Sequence, residues 1–127
     1  MPGPADKGIR VDVVTSYVEE QSSPPDSRFV FSYTITIRNE GEVAARLLTR
    51  HWIITDANGK VREVAGDGVV GEQPCIPPGH SHRYSSGAII ETPVGVMEGS
   101  YGMVGDDGVS FPASIPAFRL AVPGILN

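Results

Sequence analysis

Residues 28–41, RFVFSYTITIRNEG, decide the fold class of this chain. Large apolar side chains recur there at every second position, with smaller or polar side chains between them. Because successive side chains of a β-strand point to opposite faces, this alternation predicts a long strand with one buried face. The final Asn-Glu-Gly has the chemistry of a turn. The predicted buried set is Phe29, Phe31, Tyr33, Ile35 and Ile37.

Further strands are predicted on both sides of this one, in IRVDVVTSYVEE, RLLTRHWIITD, HRYSSGAIIET and IPAFRLAV. In the second of these, Leu48, Trp52 and Ile54 share one face with Arg50, and His51 lies on the other. The best helical candidate, GEVAARLLTR, is short, and no segment combines a helical period with caps.

About seven strands without helices predict an all-β fold, a two-sheet β-sandwich of immunoglobulin or fibronectin type III kind. A small barrel is the alternative. The length of 127 residues predicts one domain, residues 9–127, behind a flexible leader, residues 1–8.

Glycine-containing pairs predict the positions of the turns. Asn58 and Gly59 predict a type I′ hairpin, because both central residues of that turn need a positive φ. Pro78 and Gly79 suit the central positions of a type II turn. A further tight turn is expected at Asp107-Gly108.

Charge and cysteine content restrict the classes of partner and the compartment. The net charge of -5 argues against nucleic acid and anionic membrane surfaces as partners. The single cysteine, Cys75, cannot form an internal disulfide, which fits a reducing compartment. The start, MPGPADKGIRVDVV, lacks the pattern of a signal peptide, and no apolar run approaches the length of a membrane span. We therefore expect a cytoplasmic protein.

The segment AGDGVVGEQP, residues 65–74, contains glycines at the spacing G-x-G-x-x-G. In a dinucleotide-binding fingerprint this spacing opens a helix whose N-terminus holds the pyrophosphate. Here three prolines follow within the next few residues, so a helix of useful length is excluded. A Walker loop is excluded as well, because no Gly-Lys-Ser/Thr follows.

Two interpretations of these glycines remain open. They either let the chain bend between strands or form an anion nest, in which successive backbone N–H groups point at one phosphate. The negative charges of Asp67 and Glu72 weaken the second interpretation, and nearby arginines would offset them. The candidate phosphate-binding residues are Gly66, Asp67, Gly68, Val69, Val70, Gly71, Arg46, Arg50 and Arg62.

Other reactive side chains give weaker hypotheses. His51, His80 and His82 are weak candidates for a metal site, and solvated histidines are the alternative. Cys75 lacks an obvious activator for a role as nucleophile. Ser85 and Ser86 lack the G-x-S-x-G elbow of a hydrolase. No catalytic residue and no cofactor are predicted from these patterns.

The combination of RHWIITDANGK, GDGVVGEQP, YSSG and MEGSYGM, in this order and spacing, resembles the ApaG family over nearly the whole chain. The resemblance implies a fibronectin type III-like sandwich. The family name is linked to a dinucleoside-tetraphosphate hydrolase and to cobalt and magnesium homeostasis. Similar domains occur in eukaryotic F-box and polymerase-interacting proteins. For residues 66–71, the resemblance implies nucleotide or pyrophosphate binding.

We therefore expect a non-enzymatic binding module. Its ligand is a phosphate-bearing molecule at residues 66–71, or a protein that contacts an edge or face of a sheet. The alternatives are an enzyme or accessory factor of nucleoside-polyphosphate metabolism, or a protein of cobalt or magnesium homeostasis. No residue pattern specifies an oligomeric state, although edge strands can pair two copies.

Overall fold

A computed structural model describes residues 7–125. It contains eight β-strands and two single turns of 3-10 helix, Glu19–Gln21 and Pro24–Asp26. Neither helical turn approaches the length that a helix within these residues would need to cross a membrane. The strands are β1 (Ile9–Tyr17), β2 (Phe29–Asn39), β3 (Ala45–Asp56), β4 (Val61–Asp67), β5 (Cys75–Ile76), β6 (Ser81–Ile90), β7 (Val94–Gly105) and β8 (Ser110–Ala121).

The strands form two antiparallel sheets that face each other as a sandwich, as predicted from the sequence. One sheet has the order β1-β2-β6 and the other the order β4-β3-β7-β8, with β5 paired to one end of β3. The alternating apolar residues of β2 lie in the core between the sheets, and Ile35 and Ile37 are fully buried. A single cluster of buried side chains connects the two sheets.

The structure corrects the predicted facing of β3. Leu48 was expected on the face of Trp52, but Leu47 fills the core and is fully buried. A β-bulge lies between Leu47 and Thr49, so Leu48 has no partner in the register with β7. An extra residue reverses the alternation of side chains along a strand. Trp52 and Ile54 are buried as predicted because they lie beyond the bulge.

The structure also has one more strand than the approximate number predicted. The additional strand, β5, is two residues long and pairs with Ala45 and Arg46 of β3. The segment GEVAARLLTR, the best helical candidate, enters β3 at Ala45. The predicted leader lies largely outside the described residues, and within it Gly8 accepts a hydrogen bond from the Glu40 N–H.

All three predicted turns, including the one at Asp107-Gly108, occur at the expected positions, and the type of the other two can be compared with the prediction. The Pro78-Gly79 turn is closed by a bond from His80 N–H to Pro77 O, and Gly79 has a φ of 79°, as type II requires. The Asn58-Gly59 turn is not type I′, because Gly59 has a positive φ but Asn58 does not. It is a three-residue loop closed between Asp56 and Lys60, a type I turn followed by a left-handed glycine.

Candidate functional site

The glycine loop, residues 66–73, leaves β4 beside the bulge of β3 and returns to β3 as β5. The carbonyl of Leu48 accepts hydrogen bonds from Gly68 N–H at 2.8 Å and from Gln73 Nε2 at 3.0 Å. The two ends of the loop are therefore tied to the same oxygen. The extra residue of the bulge that sequence analysis missed is the anchor of the loop.

The tip of the glycine loop is a two-residue hairpin between Val69 and Glu72. The backbones of these two residues exchange hydrogen bonds of 2.8 and 3.0 Å. The central residues, Val70 and Gly71, have φ angles of 48° and 79°, which are those of a type I′ turn. Val69 is buried in the core, whereas Val70 is 63% exposed. A β-branched residue at positive φ is a conformational outlier, and such outliers cluster at functional sites.

Each glycine of the G-x-G-x-x-G spacing meets a separate steric demand. A Cβ on Gly66 would lie 2.9 Å from the guanidinium nitrogens of Arg50. A Cβ on Gly68, whose φ is 63°, would lie 2.4 Å from the carbonyl oxygen of Glu72. Gly71 has open space around it but needs its positive φ for the turn. These glycines shape a hairpin and make room for an arginine, which supports the structural interpretation of the spacing.

Arg50 lies on the inner face of β3, opposite Gly66 and on the same side as Trp52. It is half-buried, and its Nη1 donates to the carbonyls of Asp67 at 2.8 Å and Gly68 at 3.0 Å. Among the described residues, no carboxylate comes within 4.0 Å of its guanidinium, and Nε and Nη2 donate to no protein acceptor. Half of the arginine fork is therefore available to an anion.

A buried pair of tyrosine hydroxyls adjoins this arginine. Tyr84 of β6 and Tyr101 of β7 share a hydrogen bond between the sheets, and Tyr101 is paired with Arg50 across β7 and β3. Burial raises the pKa of Tyr84 to about 12, and burial also raises the pKa of Tyr101. Both hydroxyls stay protonated at neutral pH, so the pair offers hydrogen bonds and no negative charge. Neither tyrosine was predicted from the sequence. An arginine on the apolar face of a strand needs polar neighbours, and Arg50 could have indicated that such neighbours exist.

The structure places the other two candidate arginines differently. Arg46 lies at the return of the glycine loop, where its Nη1 donates to Gln73 O at 2.7 Å. Arg62 lies four residues before Gly66 on β4, about 13 Å along the strand. Its Nη2 donates to Ile89 O of β6 instead. The glycine loop is therefore accompanied by Arg46 and Arg50, and Arg62 belongs to another part of the surface.

The three histidines are divided between the two sheets. His51 is on β3, 3.5 Å from Glu63, whereas His82 is on β6 and His80 in the turn before it. Within residues 7–125 no group of three His, Cys, Asp or Glu side chains could hold a metal ion. The ring of His82 stacks on Tyr84, with its Nε2 buried and without a hydrogen-bond partner in the part of the chain described. The structure therefore does not bring these three weak candidates together as a metal site.

The structure also shows the positions of the remaining side chains that were named from the sequence. Cys75 is an exposed thiol on β5. Ser85 shares a hydrogen bond of 2.7 Å with Thr34 on the outer face of its sheet. Trp52 is 3% exposed and packs edge-on against Phe118, as expected of a core anchor.

Comparison with known proteins gives consistent matches over almost the whole chain. The family model described as ApaG domain matches residues 19–105. A protein named ApaG from Shewanella sp. (strain ANA-3) is 60% identical over 122 residues, which cover 96% of this chain and 97% of that one. A protein of the same name from Pseudomonas paraeruginosa is 60% identical over 119 residues, covering 94% of each chain.

Solved structures agree with this result. An X-ray structure of a structural-genomics target has a TM-score of 0.91 at 60% identity, covering 95% of this chain and 92% of that one. A Bordetella pertussis protein, described as a candidate ApaA protein, has a TM-score of 0.90 at 45% identity, with coverage of 92% and 95%. The identities and the coverage lead to one conclusion: this chain belongs to the ApaG family.

Proposed function

We propose that the protein is a non-enzymatic binding module that holds a phosphate- or pyrophosphate-bearing ligand at Arg50 and the glycine loop. The observation that carries the proposal is Arg50, a half-buried residue whose guanidinium has no carboxylate within 4.0 Å among the described residues. Removing charge from water is costly, so an anion bound at this position would stabilise the partly buried cation.

The free atoms of Arg50 suit a phosphate group. The Nη1 hydrogens are occupied by the carbonyls of Asp67 and Gly68, which hold the guanidinium plane in place. The Nε and Nη2 hydrogens form the edge that binds two oxygens of one anion. The tyrosine pair supports the same ligand class, because two hydroxyls joined by one hydrogen bond leave one hydroxyl hydrogen available.

In this proposal the glycine loop contributes to anion binding mainly by positioning Arg50, and less by donating its own backbone N–H groups as a nest. Gly68, Val69 and Glu72 already donate their backbone N–H groups to carbonyls. Among the loop residues described, Val70, Gly71 and Gln73 have backbone N–H groups without a protein acceptor. Two left-handed residues in succession differ from the alternating conformation of a nest. We therefore assign recognition of the anion to Arg50, with Arg46 adding positive charge from the return of the loop.

Binding without turnover is part of the proposal. The groups beside Arg50 are two tyrosines whose pKa is raised by burial, which makes them poor general bases at neutral pH. We expect no release of phosphate from ATP or diadenosine tetraphosphate by pure protein. Phosphate release that survives stringent purification and disappears in Arg50→Gln would favour the enzyme instead.

We also propose a cytoplasmic setting for this module. The support is the exposed thiol of Cys75, which has no second cysteine in the chain to pair with. An exposed thiol of this kind persists in a reducing compartment.

A titration with inorganic pyrophosphate, followed by amide and arginine side-chain NMR signals, tests the binding proposal. We expect saturable shifts of the Arg50 Nε–H and of the amides in residues 66–73. Arg50→Gln should abolish these shifts. Arg119→Gln is the matched control, because Arg119 is an exposed arginine on β8 that forms no ion pair within the described residues.

A second variant separates recognition from folding of the loop. In Gly66→Ala the new methyl group displaces the guanidinium but leaves its charge and the hairpin residues unchanged. We expect weaker pyrophosphate binding with the thermal unfolding transition still cooperative. Unchanged affinity in both Arg50→Gln and Gly66→Ala would refute the proposal.

A further inference from the structure

The two sheets of the sandwich are unequal, because three strands face four. On one side the edges match, since β1 packs along β8. The extra strand is therefore β4, on the opposite side, where the edge strand of the smaller sheet is β6. The position beside β6 and opposite β4 holds no strand among the described residues.

Side chains on both sides of this position are exposed although they face inward. Val64 of β4 pairs with Trp52 and lies on the same face, yet Val64 is 36% exposed and Trp52 only 3%. On β6, Ser86 shares the inner face with the buried Tyr84 and Ala88 but is exposed. An inner face that no strand covers marks an incomplete sandwich.

The free edge of β6 can accept another strand. Asn39 N–H donates to His80 O, so the even-numbered residues of β6 face β2 and the odd-numbered residues face away. The bond from Arg62 to Ile89 O fits this alternation, because that carbonyl points away from β2. Among residues 7–125, the N–H and C=O groups of four β6 residues then have no strand partner: Ser81, Arg83, Ser85 and Gly87.

This edge lacks the protection that another edge of the sandwich carries. On β8, prolines at positions 112 and 116 remove backbone donors and so hinder strand pairing. Strand β6 has no proline, and its central Ser-Ser-Gly offers no bulky side chain to block an approaching backbone.

Charge and shape indicate which kind of strand fits. Arg83 on the outer face of β6, its diagonal neighbour Arg38, and Arg62 at the far end form no ion pairs among the described residues. These unpaired cations lie on a chain of net charge -5. Arg62 also lines a cavity of about 170 Å³, together with the apolar Ile54, Val61, Ile89 and Ile90 and the charged Asp56, Lys60 and Glu91. Carboxylates would face outward, and apolar side chains inward.

We propose that an extended acidic segment of a partner protein adds to β6 as the fourth strand of the smaller sheet. Its backbone pairs with Ser81–Gly87 at the odd-numbered residues, and its outward carboxylates contact Arg83 and Arg38. Its inward apolar side chains cover Val64. The strand would pair with the backbone of β6, whereas Arg50 donates to carbonyls of the glycine loop, so the two interactions use different groups although Tyr84 of β6 belongs to the anion site.

A labelled peptide in which glutamate and valine alternate, as long as residues 81–87, tests this proposal by fluorescence anisotropy and amide NMR. We expect saturable binding that weakens with salt, with shifts at the odd-numbered amides of β6. The Arg83→Glu variant should lose at least about tenfold in affinity. Arg119→Glu on β8 is the matched control and should bind as the parent does. The peptide with lysine in place of glutamate should not bind.

A second variant tests the backbone. Ser85→Pro removes an N–H that points away from β2, so it should abolish peptide binding while the sheet remains paired. If that variant fails to fold, the result for Arg83→Glu still decides. No binding at millimolar peptide, or equal binding by the parent and Arg83→Glu, overturns the proposal. Protection of the same amides by protein concentration alone also overturns it, because the occupant is then a second copy of this chain.

Discussion

Two hairpin turns of this protein differ from the turn types that their own central residues favour. The turn at Asn58-Gly59 has the favoured type I′ residues but forms a three-residue loop in which only Gly59 of that pair is left-handed. The turn at Val70-Gly71 has a β-branched residue that disfavours a positive φ, yet it forms type I′ geometry. The Asn58-Gly59 turn therefore adopts a type other than the one its sequence favours, and the Val70-Gly71 turn adopts a type that its sequence disfavours.

The difference shows what determines each turn. The first is organised by its neighbour Asp56, whose carboxylate accepts hydrogen bonds from Asn58 N–H and Lys60 N–H. The second is held by its tertiary contacts, since Val69 is buried and the loop is tied to Leu48 O. Strain that the surrounding structure maintains is found at binding sites. The strained conformation of Val70 is consistent with the binding role proposed for the glycine loop.

The largest expected effect comes from glycines of the two turns. We expect Gly68→Ala to lower the free energy of unfolding by about 3 kcal/mol, because a positive φ adds to a clash with backbone. Gly59→Ala should cost only about 1 kcal/mol, because it has open space and only the φ is unfavourable. Urea denaturation of both variants measures this. Equal losses would mean that the glycine loop relaxes as freely as the other turn.

An intermediate effect on the free energy of unfolding is expected at alkaline pH, from the titration of Tyr84. The pKa of Tyr84 is raised in the folded protein from 10.0 to about 12, so the unfolded chain loses this proton first as pH rises. The stabilising contribution is present below pH 10 and is lost between pH 10 and about 12. Urea midpoints across this range should decline, and they should decline less in Tyr84→Phe. The same decline in both proteins would contradict the assignment.

A smaller effect is expected at the Asn58-Gly59 turn. Asp56→Ala removes the acceptor for two backbone N–H groups, and we expect a loss of about 1 kcal/mol. Asp107 accepts from Val109 N–H in a similar turn, so Asp107→Ala is a comparison variant. Urea denaturation measures both. Pyrophosphate affinity should remain that of the parent. A change in affinity would mean that the Asn58-Gly59 turn takes part in ligand binding.

The smallest effect has the opposite sign. Val70→Asn should raise the free energy of unfolding by roughly 0.5 kcal/mol, because asparagine tolerates a positive φ better than valine. Val70 is exposed, so little packing is lost. Thermal and urea denaturation would detect the gain. A loss of stability would show that Val70 is not strained, and the contrast between the two turns would then disappear.

Part of the candidate site was accessible from sequence. The glycine spacing, the exclusion of a helix after it and the inward position of Arg50 all follow from local rules. The tyrosine pair was not accessible, because Tyr84 and Tyr101 come from different sheets. Arg62 was grouped with the loop because only separation along the chain was known. Its bond to Ile89 shows that pairing between sheets decides the position of a long side chain.

The sequence was sufficient to establish an all-β fold, because the alternation of apolar and polar side chains depends only on the geometry of a single strand. It also determined where most turns occur, since glycine, proline and asparagine act on their own backbone. The tertiary structure alone decided that β3 bulges at Leu48, that Arg50 lies beside two buried hydroxyls, and that β4 extends past the edge of the facing sheet. These features depend on contacts between strands distant in the chain, and such contacts leave no periodic signal in any one segment.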